Sequence, residues 1–212
     1  MSLTAKGGEF KEREPVPEGS HPAVCVGVID LGTQTNEVYG GARHEVLVMW
    51  ELPEVRIEWE KDGHKTNLPR SISRRFTLSL NPKANLCPFL EAWRGKKFTP
   101  QELDGFDVGQ IAGHACFLGV VHKPSPKGGM RAVVASVMPW PRTMQAAKPK
   151  AEGRVIAWDL DEMSGPELPA ELPEWVRDVI KKSAEYRAMI DKVPGERGAV
   201  VEDEGDGEVA PF

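Results

Sequence analysis

Three stretches dense in β-branched and apolar residues, then one helix with legible ends, then two more such stretches follow one another within about 120 residues. That order confines the chain to a small β-rich architecture. The first stretch runs from Ala23 to about Gln34 around Val24-Cys25-Val26-Gly27-Val28-Ile29-Asp30-Leu31. The second covers Arg43 to Leu52 and the third Ser71 to Leu80, with Gly, Asn and Pro at the joins. Between the second and third, Val55-Arg56-Ile57-Glu58-Trp59-Glu60 precedes Lys61-Asp62-Gly63-His64, where the Asp-Gly step predicts a hairpin turn inside an insertion. The helix carries its own punctuation: Asn85 as cap, Pro88 in the first turn, Gly95 as stop, with Leu86, Phe89, Leu90 and Trp93 on one face. Thr99-Pro100-Gln101-Glu102 reads as a capping box opening a second short helix. The last two strands, Ala115 to His122 and Met130 to Met138, flank the polar loop Lys123-Pro124-Ser125-Pro126-Lys127-Gly128-Gly129.

This is the element order of an oligonucleotide/oligosaccharide-binding (OB) fold. The expected class is mainly β with helical additions: a five-stranded OB-fold Greek-key barrel, a C-terminal helical appendage and a disordered acidic tail. The division is an N-terminal arm (1–22), a barrel (23–140), a linker with helical appendage (141–195) and the tail (196–212). In the appendage, Pro173 to Ile190 reads as helix, broken near Ser183. Its apolar stripe of Trp175, Val176, Val179 and Ile180 is expected to pack on the barrel, with DNA contact as the lesser role.

Charge separates along the chain. Residues 1–150 carry 20 basic and 16 acidic residues, a balance of +4, whereas residues 151–212 carry 7 and 16, a balance of −9. A mildly basic body joined to an acidic end suggests an anionic partner for the body. The acidity is concentrated in Glu202, Asp203, Glu204, Asp206 and Glu208, five carboxylates loosened by glycine and closed by Pro211-Phe212. Such a segment buries too little apolar surface to fold and reads as an interaction tail. A partner with a basic rim around a small apolar pocket would capture the Phe212 ring and carboxylate together.

The tail resembles that of bacterial single-stranded DNA-binding proteins, which end in an acidic run closing with Pro-Phe. A wider resemblance rests on Pro69-Arg70-Ser71-Ile72-Ser73-Arg74-Arg75-Phe76-Thr77-Leu78-Ser79-Leu80, on Asn85-Leu86 with Leu90-Glu91-Ala92-Trp93-Arg94-Gly95-Lys96-Lys97-Phe98-Thr99, and on Leu172-Pro173-Glu174-Trp175. These motifs look like a phage-type OB-fold single-stranded DNA-binding family and span about residues 20–190. The resemblance implies sequence-tolerant binding of single-stranded DNA in replication, recombination or repair, with replication or repair proteins recruited by the tail.

Binding of that kind needs a cationic track for phosphates and exposed rings for bases. On the third strand, alternation sets Ile72, Arg74, Phe76 and Leu78 on one face and Ser73, Arg75 and Thr77 on the other. Arg75 is therefore the firmer phosphate contact, Arg70 stands at the strand entrance, and Arg74 belongs near a rim. Arg43, the Lys96/Lys97 cluster after the helix, and His122, Lys123, Lys127 and Arg131 around the last hairpin extend the candidate track. Candidate stacking rings are Tyr39, Trp50, Trp59 and Phe76, with core packing the competing role for each Trp and Phe.

Other chemistries find less support. The five histidines and three cysteines have no short metal-ligand spacing, and no G-x-x-x-x-G-K-[ST] phosphate loop occurs. The acidic pairs Asp104/Asp107 and Asp159/Asp161 could hold Mg²⁺ for a nuclease, but read better as a helix exit and solvated linker carboxylates. No metal, cofactor or catalytic group is expected. Cys25, Cys87 and Cys116 read as buried reduced thiols. No apolar run of about 18 residues or signal sequence is present, so the expectation is a cytoplasmic protein, in the host cytoplasm if phage-encoded, with no membrane partner. Self-association into a homo-oligomer stays open, as no dimer surface is legible. The alternatives are a non-catalytic OB-fold protein-interaction module and a Mg²⁺-dependent DNA-processing enzyme.

Overall fold

The computed structural model describes residues 14–35, 41–61, 64–126 and 128–192, with backbone alone at 59–61, 64 and 192. Six strands and four α-helices occupy these residues: β1 (Gly19–Thr35), β2 (Ala42–Lys61), β3 (His64–Thr77), α1 (Leu86–Arg94), α2 (Pro100–Asp104), β4 (Ala115–Pro124), β5 (Met130–Pro139), β6 (Ile156–Trp158), α3 (Glu174–Ile180) and α4 (Ala184–Lys192). One mainly antiparallel sheet runs β3-β2-β1-β4-β5, and β6 adds to β1 in parallel. Its edges bend toward each other: Arg74 of β3 donates to the carbonyl of Val134 on β5, Nη1 to O, at 3.1 Å.

Two apolar cores sit on opposite faces of this sheet. The first gathers Ala23, Cys25 and Val28 of β1, Val46, Val48, Trp50 and Leu52 of β2, Ile72 and Phe76 of β3, and Leu118, Val134 and Val137 of the last pair around α1. The second joins Ile29 and Leu31 of β1 and Leu47 of β2 to Leu160, Leu172, Val176 and Ile180 of the appendage. Strand β2 is thus buried on both faces, which explains the unbroken apolar run Val46-Leu47-Val48-Met49-Trp50. In β1 a register shift between Cys25 and Gly27 resets the alternation, so Cys25 and Val28 face the same core three residues apart.

The helix ends behave as their sequence predicts, with one exception. Gly95 closes α1 in the left-handed region at φ 67°, where a Cβ would be strained. Thr99 and Glu102 form the full capping box of α2. Asn85 occupies the N-cap of α1 but makes no side-chain capping bond. The appendage helices break at Lys181–Ser183, as expected near Ser183.

Three boundaries differ from the sequence reading. Val55–Glu60 is no insertion between strands: β2 and β3 stay paired through a bulge between Leu52 and Arg56 out to Lys61↔His64. Arg56 steadies that step, Nε to Asn67 Oδ1 at 2.8 Å and Nη2 to the Asn67 carbonyl at 2.7 Å. The expected Asp62-Gly63 turn lies outside the described residues. The third strand ends at Thr77, not Leu80, and the first begins at Gly19 because Ser20 to Val24 pair with β4, with Val16 already in the first core.

The appendage docks through tight local packing. Gly32 holds φ 66°, and a Cβ there would lie 2.7 Å from Leu160 Cδ2, Ser183 Cβ and Glu185 Oε2. The Glu185 carboxylate accepts from the Thr33 amide at 2.7 Å and from its hydroxyl, and Gln34 Nε2 donates to the Val179 carbonyl at 3.1 Å. Glu51, buried in β2, anchors the linker by accepting from the amides of Glu152 and Gly153 at 2.7 and 3.0 Å. All three cysteines are buried free thiols; burial pushes Cys25 up to about 12 and raises Cys116 as well, so neither is poised as a thiolate at neutral pH.

Candidate nucleic-acid interface

A groove of about 610 Å³ opens where β3 approaches the β4–β5 hairpin and the start of α3. Its lining is Leu47, Ser73, Arg74, Arg75, Lys123, Arg131, Val133, Val134, Ala135 and Trp175. Four cations and no carboxylate stand in that set. Lys123 and Arg131 are register partners across β4 and β5. Like charges directly opposite one another on a sheet destabilise it unless an anion or solvent screens them. Neither makes an ion pair with a described residue. Among the described residues, Arg75 has only the distant Glu45 carboxylate, at 4.0 Å.

Arg74 and Arg75 alternate on β3, yet both line the groove, which lies at the sheet edge that β3 forms. Arg74 lies on the inner side, its guanidinium 4.7 Å from the Phe76 ring centre and 5.4 Å from that of Phe89. Burial pushes its pKa down from the ordinary arginine value, so an incoming anion would gain from a partly desolvated cation. Its one hydrogen bond to a described residue, to Val134, leaves other guanidinium donors for a ligand.

Several expected contacts lie elsewhere. Trp50 and Phe76 are corrected outright: at 0% and 3% exposure they form the aromatic heart of the first core, and offer no face to a base. Trp50 packs 5.8 Å from Phe89 and 5.9 Å from Trp93, and Phe76 lies 4.8 Å from Phe89, ring centre to ring centre. Their strand alternation points them inward. Arg43 pairs in register with Gln34 and Arg70 with Leu52, and neither lines the groove. Lys97 donates to Glu91 at 2.9 Å, and Lys96 sits 3.7 Å from Glu102, near a separate concavity beside Trp93 and Trp140. His122 turns to the N-terminal segment, with Nε2 2.8 Å from the Val16 carbonyl and its amide donating to Glu18 at 2.6 Å. Tyr39, Lys127, the Trp59 side chain and the tail residues Glu202, Asp203, Glu204, Asp206, Glu208, Pro211 and Phe212 lie outside the described residues.

Trp175 is the groove residue that sequence reasoning assigned elsewhere. The stripe of α3 was expected to pack on the barrel, and Val176 and Ile180 do so, whereas Trp175 is 45% exposed. Adjacent helix residues differ by about 100°, so a Trp next to the buried position 176 sits at the stripe's margin. That offset was the available signal.

Charge separates this groove from the larger concavity of about 670 Å³ whose lining includes Asp30, Asp107, Asp159 and Glu162. Those carboxylates oppose a phosphate chain. Three of them serve the backbone: Asp30 accepts from the Gly32 amide at 2.8 Å, and Asp107 from the Gly109 amide at 2.8 Å and Asp159 from the Asp161 amide at 2.9 Å, the last two each capping a short 3₁₀ turn. None of the helices among the described residues is long and apolar enough to cross a membrane.

The chain matches no protein-family model, no curated protein and no solved structure.

Proposed function

We propose that this chain is a non-enzymatic, sequence-tolerant single-stranded DNA-binding protein of the phage type. Its role would be to coat and protect single strands during replication, recombination or repair. The observation that carries the reading is the groove: four cations converge there without a lining carboxylate, two of them like charges in register. A phosphate chain supplies the missing counter-charge. The neutral part of the lining supports sequence tolerance, since among Leu47, Ser73, Val133, Val134, Ala135 and Trp175 only the Ser73 hydroxyl and the Trp175 indole N–H can hydrogen-bond a base edge.

The architecture supports an OB-type barrel beneath this groove. Strand order β3-β2-β1-β4-β5, a helix between β3 and β4, and the Arg74–Val134 contact that draws the edges together are the connectivity such a barrel requires. In this reading the tail, Glu202 to Phe212, recruits replication or repair proteins through its acidic run and terminal Phe.

Fluorescence anisotropy of a labelled oligo-dT of about 30 nucleotides at two salt concentrations, with the matching duplex as competitor, tests the proposal. Salt-sensitive binding that prefers the single strand is the expected result. Absence of binding at low salt would overturn it and turn attention to protein partners of the sheet.

A further inference from the structure

We propose that Trp175 is a base-stacking platform, so that the helical appendage completes the nucleic-acid groove as well as covering the sheet. The inference rests on the single-stranded DNA reading and adds to it the element that handles bases. A groove of cations alone holds phosphates and treats any polyanion alike; discrimination for a nucleic-acid single strand needs an accessible π-face beside the track. Trp175 is the one aromatic among the described residues that line the groove. Its indole has no ring partner or hydrogen-bond acceptor among the described residues, although an exposed tryptophan of this size gains from covering its faces.

The backbone under it is held firmly. Val176 and Ile180, on the same short helix, are fully buried in the second core, and the Val179 carbonyl accepts from Gln34 of β1. Glu185 ties the next helix to Thr33. The indole is therefore presented from a docked element and loses little freedom when a base stacks on it. Phosphates would lie along Arg75, Lys123 and Arg131 while a base turns onto Trp175, a division of labour that the sheet alone does not provide.

The full-length protein and its Trp175→Ala and Trp175→Phe variants should be titrated with two oligomers of equal length, oligo-dT and an abasic phosphodiester. Trp175→Ala should weaken oligo-dT binding by about tenfold or more while leaving abasic binding and the salt slope unchanged. Trp175→Phe should restore most of the affinity but lose part of the tryptophan quenching that oligo-dT produces in the parent. Equal weakening toward both oligomers, or no weakening toward oligo-dT, would overturn the inference. Thermal melts check that each variant folds, as expected for a side chain this exposed. Should Lys123→Ala/Arg131→Ala leave binding to both oligomers intact, it is the groove reading itself that has failed.

Discussion

Replacing both Lys123 and Arg131 by Ala tests the phosphate track where the structure makes it most quantitative. These two face each other across β4 and β5, have no ion-pair partner among the described residues, and sit on exposed positions where truncation leaves the cores intact. Each phosphate neutralised on a single strand contributes about 0.7 to the slope of log affinity against log salt, so four engaged cations give a groove contribution of about 2.8. Removing two should cut it to about 1.4. Between 50 and 200 mM salt the groove contribution then falls from about a 50-fold loss of affinity to about sevenfold. Contacts outside the groove add equally to parent and variant, so the difference of about 1.4 in slope is the diagnostic quantity. Anisotropy titrations of oligo-dT at four or five salt concentrations measure it directly. Parallel slopes for the two proteins would refute the assignment of these side chains to phosphates, whatever happened to the absolute affinity.

Gly32→Ala is expected to loosen the appendage, because a left-handed φ of 66° and contacts at 2.7 Å to Leu160, Ser183 and Glu185 leave a Cβ no space. A cost of about 2 kcal/mol, or about 4–8 °C in Tm by scanning calorimetry, is expected; an unchanged Tm would count against the tight docking described. Glu102, held down to about 2 first by the Thr99 amide and then by Arg94, should contribute stability that is fully present above the ordinary carboxylate range and fades as pH falls from about 4.5 toward 2. Arg94→Ala removes the second of these partners and should shift the carboxyl titration, followed by NMR, part of the way back upward while the Thr99 amide keeps it below the ordinary range; an unmoved titration would show that Arg94 does not help set it. Deleting residues 202–212 removes five carboxylates and should raise oligo-dT affinity, most strongly at low salt; equal affinities would show that the tail does not compete for the groove.

Much of this protein was legible in the sequence wherever the governing rule acts over a few residues. Strand runs, the Gly95 stop, the Thr99–Glu102 capping box and the break near Ser183 depend on local dihedrals and on hydrogen bonds within a turn, so residue type and spacing suffice. Lys123 and Arg131 were legible too, since a short hairpin sets its two arms in register. Only the tertiary structure decided which rings were free. Trp50 and Phe76 share their strand faces with Val46, Val48 and Ile72, which leaves both core and stacking roles open in the sequence; the pairing of β2 with β3 turns both into the first core, and a one-residue slip would have turned them out. It also decided that Arg74 and Arg75, on opposite faces of one strand, meet in one groove, because β3 became a sheet edge facing β5. Trp175 joined them from a helix about 100 residues downstream, through packing on Leu47 and its neighbours that no local pattern encodes. Side-chain chemistry belongs to the sequence; convergence across the chain belongs to strand pairing and core packing, whose energies depend on contacts between residues far apart in sequence.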